Sequence, residues 1–310
     1  MFSVVFPGQG SQSVGMTKNL YNNFSYIKEL FKRADEILEQ PLSKIILEGP
    51  QEILNLTENT QPAIFLASYS IYQLIKNETK KDLNKAKFFA GHSLGEYSAL
   101  TTSESLSFDQ SIKLLKVRGK SMQSAVPKGE GGMVAVLGSD VKFIAELLKK
   151  NIEKYKCFIA NDNSVGQLVI SGKNKDLDQF INDLRLEKIK NIKLTVSAPF
   201  HCNLMRPATE IMKSEIMKAN INIPKNTIIS NVTSEETNEP SKIKELLIQQ
   251  IESPVRWRES VLYMKAEGVK KIIEIGPGKV LSGLIKRIDK GLLSISLNSY
   301  DEIKNLNLND

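Results

Sequence analysis

One short segment of this chain carries the pattern of a nucleophilic serine. The pentapeptide Gly91-His92-Ser93-Leu94-Gly95 follows the apolar run Phe88-Phe89-Ala90 and precedes a stretch that favours helix. A strand, a sharp turn and a helix in this order are typical of a nucleophile elbow, in which the serine hydroxyl stands exposed on the turn. Glycines are needed there because backbones come too close for side chains. The segment predicts that Ser93 is a nucleophile, with the backbone N–H of Leu94 facing the same pocket.

The chain contains two histidines, and only one of them can serve Ser93 as a base. His92 lies inside the elbow, where its ring cannot easily turn onto the neighbouring hydroxyl. His201 follows Pro199-Phe200, much later in the chain. If Ser93 is a nucleophile, His201 is the only conventional general base that remains.

Arg118 lies on a helix predicted from a cap near Ser107 to about Ala125. Arg118 comes three residues after Leu115 and four before Met122, which places its stem on the apolar side of this helix. A lone arginine at such a position usually extends its charge to the surface. These residues alone therefore leave its function open.

The composition excludes several classes of protein. The chain is 41% apolar and 25% charged, as is usual for a soluble globular protein. Its net charge of +7 is spread along the sequence and aromatic residues make up only 7%, so nucleic-acid binding is not indicated. This charge would suit an acidic protein partner or a phosphate-bearing ligand, but from charge alone the better explanation is that the lysines only solubilise the surface.

The cysteines and the first residues restrict the compartment. Cys157 and Cys202 are the only cysteines, which excludes a disulfide framework, and no His or Cys cluster predicts a metal. Residues 1–8 lack a basic segment and contain Pro7-Gly8, unlike a signal peptide. No apolar run reaches the roughly 18 residues that a membrane span needs. We expect a cytoplasmic protein without a membrane partner.

Strand-like apolar runs alternate with helical patterns along most of the chain. This alternation predicts an α/β fold with a parallel sheet covered by helices on both faces. Between Gly131 and Val196 the predicted order is β-α-β-β-α-β, which is that of a ferredoxin-like unit. We therefore expect a core made of residues 1–127 and 198–310, with an insertion at 128–197. Active sites of such sheets gather at the carboxyl ends of strands, here after Phe6, Ala90, Ser230 and Ile275.

Six motifs follow one another between residue 2 and about residue 298. They are Phe6-Pro7-Gly8-Gln9-Gly10-Ser11-Gln12, Gly91-His92-Ser93-Leu94-Gly95-Glu96, Val117-Arg118-Gly119, Pro199-Phe200-His201, Pro254-Val255-Arg256-Trp257 and Glu274-Ile275-Gly276-Pro277-Gly278. Together they resemble the motifs of malonyl-CoA:acyl carrier protein transacylases of bacterial fatty acid synthesis. The resemblance implies an α/β-hydrolase-like core with a ferredoxin-like insertion.

The resemblance also implies how the nucleophile is activated. Ser93 would accept the acyl group and His201 would be its general base. Gln250, four residues before Pro254, would orient His201 by accepting the imidazole N–H on its carboxamide oxygen. Gln249 is adjacent, and an alignment shifted by one residue would give it this role.

Further roles follow from the same resemblance. The backbone N–H groups of Leu94 and Gln9 would form the oxyanion hole. Arg118 would hold the free carboxylate of malonate, for which the planar guanidinium is well suited. Phe200 stands where some members of the family have serine, and its bulk would narrow the pocket against branched malonates.

The function implied is transfer of malonyl from malonyl-CoA to the phosphopantetheine thiol of an acidic acyl carrier protein, through an ester on Ser93. No metal or redox cofactor is expected, and we expect a monomer. An acyltransferase of polyketide assembly is the nearest alternative. A serine esterase or thioesterase is less favoured because no carboxylate can be singled out between Ser93 and His201. A non-catalytic module that binds carrier protein is disfavoured by the presence of Ser93, Arg118 and His201.

Overall fold

The computed structural model describes residues 1–196 and 198–308. Residue 197, at the expected end of the insertion, and residues 309–310 lie outside the described residues. Ten strands occur in the described part of the chain: β1 (Phe2–Phe6), β2 (Phe88–Gly91), β3 (Gly131–Leu137), β4 (Cys157–Ser164), β5 (Gln167–Lys173), β6 (Lys190–Lys193), β7 (Thr227–Ile229), β8 (Glu236–Thr237), β9 (Lys271–Ile275) and β10 (Leu293–Leu297).

Helices connect and cover these strands. Two short 3₁₀ turns lie at Leu83–Lys85 and Asn203–Met205. The α-helices of the described residues are α1 (Lys18–Asn23), α2 (Ser25–Leu38), α3 (Leu42–Glu48), α4 (Gln51–Leu54), α5 (Thr57–Glu78), α6 (Gly95–Thr102), α7 (Phe108–Ser124), α8 (Val141–Lys150), α9 (Asn174–Leu186), α10 (Arg206–Lys218), α11 (Pro240–Gln250), α12 (Trp257–Ala266), α13 (Val280–Ile288) and α14 (Tyr300–Lys304).

The larger sheet has the strand order β10-β9-β1-β2-β7-β8. The first five strands are parallel, and only β8 at the edge runs antiparallel. Side chains along β1 alternate between two cores: Val4 and Phe6 pack with α2, α5, α6 and α7, whereas Val5 packs with α12 and α13. Helices therefore cover both faces, as the apolar strand sequences predict. The α/β class with a parallel sheet is confirmed.

The smaller sheet is antiparallel, with the order β4-β5-β3-β6. Helices α8 and α9 pack against it around Ile144 and Phe180, in an apolar core of its own. Strand β4 also contacts the larger unit, because the backbone of Val255 donates to Ala160 at 2.8 Å and accepts from Asp162 at 3.0 Å. The smaller sheet thus contacts the segment immediately before α12.

Several predicted element boundaries are wrong. The apolar spacing between Leu20 and Leu38 predicts one helix, but the structure divides this segment into α1 and α2 at Phe24, whose extended backbone lets its ring pack on Tyr300. The sequence predicts a last strand of the insertion over 189–196, whereas the observed strand covers only Lys190–Lys193. Gln61-Pro62-Ala63 predicts the start of a helix, but α5 begins at Thr57, so Pro62 lies inside it. Helices α3 and α4, the strand β10 and α14 were not predicted.

Close packing between α5 and α7 depends on Gly119. A Cβ atom built at this glycine would lie 2.5 Å from the carbonyl oxygen of Thr57, and backbone cannot yield as a flexible side chain can. Gly119 therefore fixes how closely α7 approaches α5, and with it the position of the neighbouring Arg118.

Within the described residues, no helix combines the length and apolar character needed to cross a membrane.

We expect Gly119→Ala to lower the free energy of unfolding by about 1–3 kcal/mol, since overpacking forces the two helices apart. Gly283 in α13 is a matched control, because a Cβ there meets nothing within 4 Å. Gly283→Ala should be neutral or stabilise by up to about 1 kcal/mol. Urea denaturation measures both, and equal stability of Gly119→Ala and the wild type would contradict this packing.

Candidate active site

The nucleophile elbow forms between β2 and α6. Ser93 adopts φ +54°, in the left-handed region that non-glycine residues seldom occupy. A Cβ atom at Gly91 would lie 1.9 Å from the carbonyl carbon of Gly95, and one at Gly95 would lie 2.3 Å from the carbonyl oxygen of Phe6. Both glycines are therefore required, one to close the turn and one to let β1 approach it.

His201 lies directly against this serine. Its Nε2 is 2.8 Å from Ser93 Oγ, and its Nδ1 is 2.9 Å from the main-chain carbonyl oxygen of Gln250. A carbonyl can only accept, so Nδ1 carries the hydrogen and Nε2 accepts from the serine hydroxyl. This tautomer is the one in which an imidazole removes a proton from serine.

Gln250 contacts the histidine in a different way from the one that the resemblance implied. The expected carboxamide contact is wrong, because the main-chain carbonyl binds His201 and the side chain turns elsewhere. The Gln250 carboxamide oxygen accepts from Arg118 Nη2 at 2.8 Å. Gln249, the alternative, donates instead to Glu245 at 2.9 Å. The end of α11 thus serves both the histidine and the arginine.

Arg118 is buried, with 1% of its surface exposed, beside the nucleophile. Its Nη1 donates to Gln61 Oε1 at 2.8 Å, and its Nη2 lies 3.2 Å from Ser93 Oγ. Across residues 1–196 and 198–308, no carboxylate forms an ion pair with it. A buried cation with only neutral direct partners can accept a small anion at the serine.

Burial, together with a smaller repulsion of the imidazolium by the Arg118 cation, lowers the pKa of His201 to about 3. The imidazole is therefore neutral at physiological pH and free to accept a proton. The bond to the Gln250 carbonyl opposes this shift by stabilising the protonated ring.

Two backbone N–H groups are available as donors, that of Leu94 in the elbow and that of Gln9 in the loop after β1. The N–H of Ser93 donates to Asn231 Oδ1 at 2.7 Å, so it is already occupied. In the described part of the chain, no acceptor is bonded to the N–H of Leu94 or of Gln9. Two such donors are the number that an oxyanion hole commonly uses.

Three residues that contact the predicted site were not identified from the sequence. Gln61 lies inside α5 and Asn231 follows β7, and neither belongs to a recognisable motif. Glu96 belongs to the motif that begins at Gly91, which by itself predicts no role for it. It is 2% exposed, and burial raises its pKa to about 7. The position of Glu96, inside the serine motif and at the start of a helix, is the sequence signal that could have indicated a functional carboxyl group.

The second histidine and the two cysteines do not contribute to the Ser93–His201 pair. His92 turns away from Ser93, with its Nε2 2.8 Å from Asn163 Oδ1. Cys157 and Cys202 are buried, and burial raises the pKa of each thiol to about 12. Neither thiol is a nucleophile at neutral pH. No group of three or more His, Cys, Asp or Glu side chains able to hold a metal occurs among the residues that the structure describes.

A serine hydroxyl hydrogen-bonded to a histidine on an α/β scaffold is suited to acyl transfer, and the family model of the acyl transferase domain matches residues 3–295. Relatives make the assignment finer. A malonyl CoA-acyl carrier protein transacylase of Bacillus subtilis is 43% identical over 97% of this chain and 94% of its own length. The chain belongs to the malonyl CoA-acyl carrier protein transacylase family.

Solved structures agree with this assignment. The acyl-carrier-protein-S-malonyltransferase of Bartonella henselae superposes with a TM-score of 0.95 at 40% identity, covering 98% of this chain and 97% of that one. A malonyl-transacylase solved with the holo acyl-carrier protein of a type II polyketide synthase has a TM-score of 0.93 at 36% identity, covering 98% and 97%.

The low pKa of His201 can be measured directly. Burial also lowers the pKa of His92, so we expect neither imidazole to titrate near pH 6.5. Nitrogen-detected NMR between pH 8 and 5 should show His201 neutral with hydrogen on Nδ1. The His92→Gln variant keeps one histidine and so assigns the signal. A midpoint near pH 6.5 in that variant would contradict the assigned environment.

Proposed function

We propose that this chain moves the malonyl group from malonyl-CoA to the phosphopantetheine thiol of acyl carrier protein, with Ser93 as nucleophile and His201 as base. The observation that carries the proposal is the buried Arg118 guanidinium, which lies 3.2 Å from Ser93 Oγ and has no carboxylate partner among residues 1–196 and 198–308. It can bind the free carboxylate of malonate while the thioester carbonyl lies on the serine. The family names point to the same substrates.

In each half-reaction His201 takes up one proton and then gives it to the leaving group. Ser93 Oγ forms a bond to the malonyl carbonyl carbon and gives its proton to His201 Nε2. The carbon–sulfur bond then breaks, and the CoA thiolate takes that proton. In the second half, the carrier thiol gives its proton to His201 and attacks the seryl ester, and Ser93 leaves with the proton. The N–H groups of Leu94 and Gln9 would hold the oxyanion in both steps.

The charge of the substrate also favours proton transfer to His201. Arg118 lowers the pKa of His201, because an imidazolium beside a guanidinium is repelled. A malonate carboxylate bound to Arg118 offsets that repulsion and stabilises the imidazolium. An acetyl group lacks the carboxylate, so it leaves the guanidinium unpaired and gives His201 no such support. Malonyl is therefore favoured over acetyl in binding and in chemistry.

The net charge of +7 suits an acidic carrier protein. Fatty acid synthesis is the pathway that we propose; the polyketide alternative is kept because one similar structure contains a polyketide carrier protein. An esterase is disfavoured because the group that orients His201 is a carbonyl rather than a carboxylate. A cofactor-free, monomeric and cytoplasmic enzyme stays a prediction.

For the architecture, we propose an α/β-hydrolase-like core of residues 1–127 and 198–310 with a ferredoxin-like insertion at 128–197. The parallel strands β10, β9, β1, β2 and β7, with the elbow after β2, support the first part. The order β4-β5-β3-β6, with α8 and α9 packed against it, supports the second.

Brief incubation with malonyl-CoA should leave one malonyl ester on Ser93, seen as a mass increase of the intact protein and located by peptide mapping. The ester should disappear on addition of holo acyl carrier protein, whereas water alone should remove it slowly. Absence of the adduct, or an adduct that survives Ser93→Ala, would contradict the mechanism. Rapid loss to water without carrier protein would indicate a hydrolase.

Arg118→Ala should reduce kcat/KM for malonyl transfer by about 100-fold or more, since a desolvated charge pair is lost. Acetyl transfer should fall far less. Arg33→Ala, which removes an exposed arginine paired with Asp109, is the matched control and should leave both rates unchanged. Equal losses of malonyl and acetyl transfer in Arg118→Ala would show that Arg118 is only structural.

A further inference from the structure

Glu96 is a buried carboxylate to which the steps above assign no role. It lies in the first turn of α6, three residues after the nucleophile, and is 2% exposed. One oxygen, Oε2, accepts two hydrogen bonds: from Gln250 Nε2 at 2.8 Å and from the backbone N–H of Asn231 at 3.0 Å. Glu96 thus touches the two residues that hold Arg118 and Ser93.

The Gln250 carboxamide has a definite polarity in this arrangement. Its Nε2 donates to Glu96 and, at 3.2 Å, to the Ser93 carbonyl oxygen, while its Oε1 accepts from Arg118. Oε2 also accepts the Asn231 N–H, so it is an acceptor whether or not the other carboxyl oxygen carries a proton, and the nitrogen end of the amide must face Glu96. The oxygen end must then face Arg118. The reversed amide would place N–H donors against the N–H donors of the guanidinium.

We propose that Glu96 is a positioning residue, which fixes the polarity of the Gln250 amide and so holds the Arg118 guanidinium at the acyl site. The proposal rests on the proposed function, in which Arg118 selects malonyl over acetyl. Glu96 does not touch the substrate. It acts on selectivity through Gln250.

The same carboxylate also supports the elbow. Asn231, whose backbone N–H it accepts, receives the Ser93 N–H on its side-chain oxygen at 2.7 Å and donates to the Gly91 carbonyl at 2.6 Å. Glu96 is therefore connected to both ends of the turn that carries the nucleophile. Its negative charge is one amide away from Arg118, and that guanidinium opposes the rise in the pKa of Glu96 that burial causes.

Two substitutions separate the accepting oxygen from the rest of the side chain. Glu96→Gln can keep an oxygen at the Oε2 position, whereas Glu96→Met keeps the length and removes every acceptor. We expect the ratio of malonyl to acetyl kcat/KM to fall at least tenfold in Glu96→Met and to stay within about threefold of wild type in Glu96→Gln. A merely structural role would lower both transfers together and leave the ratio unchanged.

The partner residue gives a second test, which holds even if Glu96→Met fails to fold. Gln250→Met removes the amide itself and should lower the same ratio at least tenfold. Where both single variants fold, the double variant should lower the ratio no further than the larger single loss, because both changes break one chain of contacts. Additive losses, or an unchanged ratio in Gln250→Met, would overturn the proposal.

A buried carboxylate elsewhere supplies the control. Glu274 is fully buried and accepts from the backbone N–H groups of Leu281 at 3.0 Å and Ser282 at 2.7 Å, away from Arg118. Glu274→Met should leave the malonyl to acetyl ratio unchanged, whatever it does to stability. If wild type forms no malonyl ester, the proposed function fails. If it does, and Glu96→Met keeps the wild-type ratio, only the role of Glu96 fails.

Discussion

The site depends on one buried positive charge. Burying a guanidinium without a direct carboxylate costs free energy, and burial accordingly lowers the pKa of Arg118. Tyr97 and Glu96 oppose this decrease in the pKa. The protein compensates with neutral oxygens, from Gln61 and Gln250, and with one anion placed a full amide away. A cation stabilised in this indirect way keeps its attraction for a small carboxylate.

The scaffold must bring distant segments together around that charge, and glycine makes the approach possible. Gly119 lets α7 lie against the start of α5, which places Arg118 next to Gln61. Gly91 and Gly95 let the elbow close against β1, so that the loop after β1, which carries Gln9, lies against the elbow. Packing and chemistry are therefore linked: a methyl group at any of these glycines would move a functional atom rather than only a helix.

Local patterns were sufficient to predict the main features of this arrangement. The parallel α/β class follows from apolar strands buried on both faces, and Ser93 follows from the spacing of two glycines around a turn. His201 was found because the chain has only one other histidine. The contacts of Glu96 and Asn231 and the direction of the Gln250 side chain could not be predicted, since they depend on how α11 and the end of β7 meet the elbow in three dimensions. The break at Phe24 likewise depends on a contact with Tyr300, far along the chain.

The nature of residue 250 explains why a main-chain carbonyl supports the histidine. In serine triads a carboxylate usually orients the imidazole and stabilises its protonated form. Here the side chain at that position also contacts Arg118 at 2.8 Å. A carboxylate there would form a direct ion pair with the guanidinium and satisfy the charge that we propose malonate meets. An amide avoids this competition, and the backbone then orients His201 without adding charge. In the proposed mechanism the malonate carboxylate would stabilise the imidazolium, so the group selected by Arg118 would also assist its own transfer.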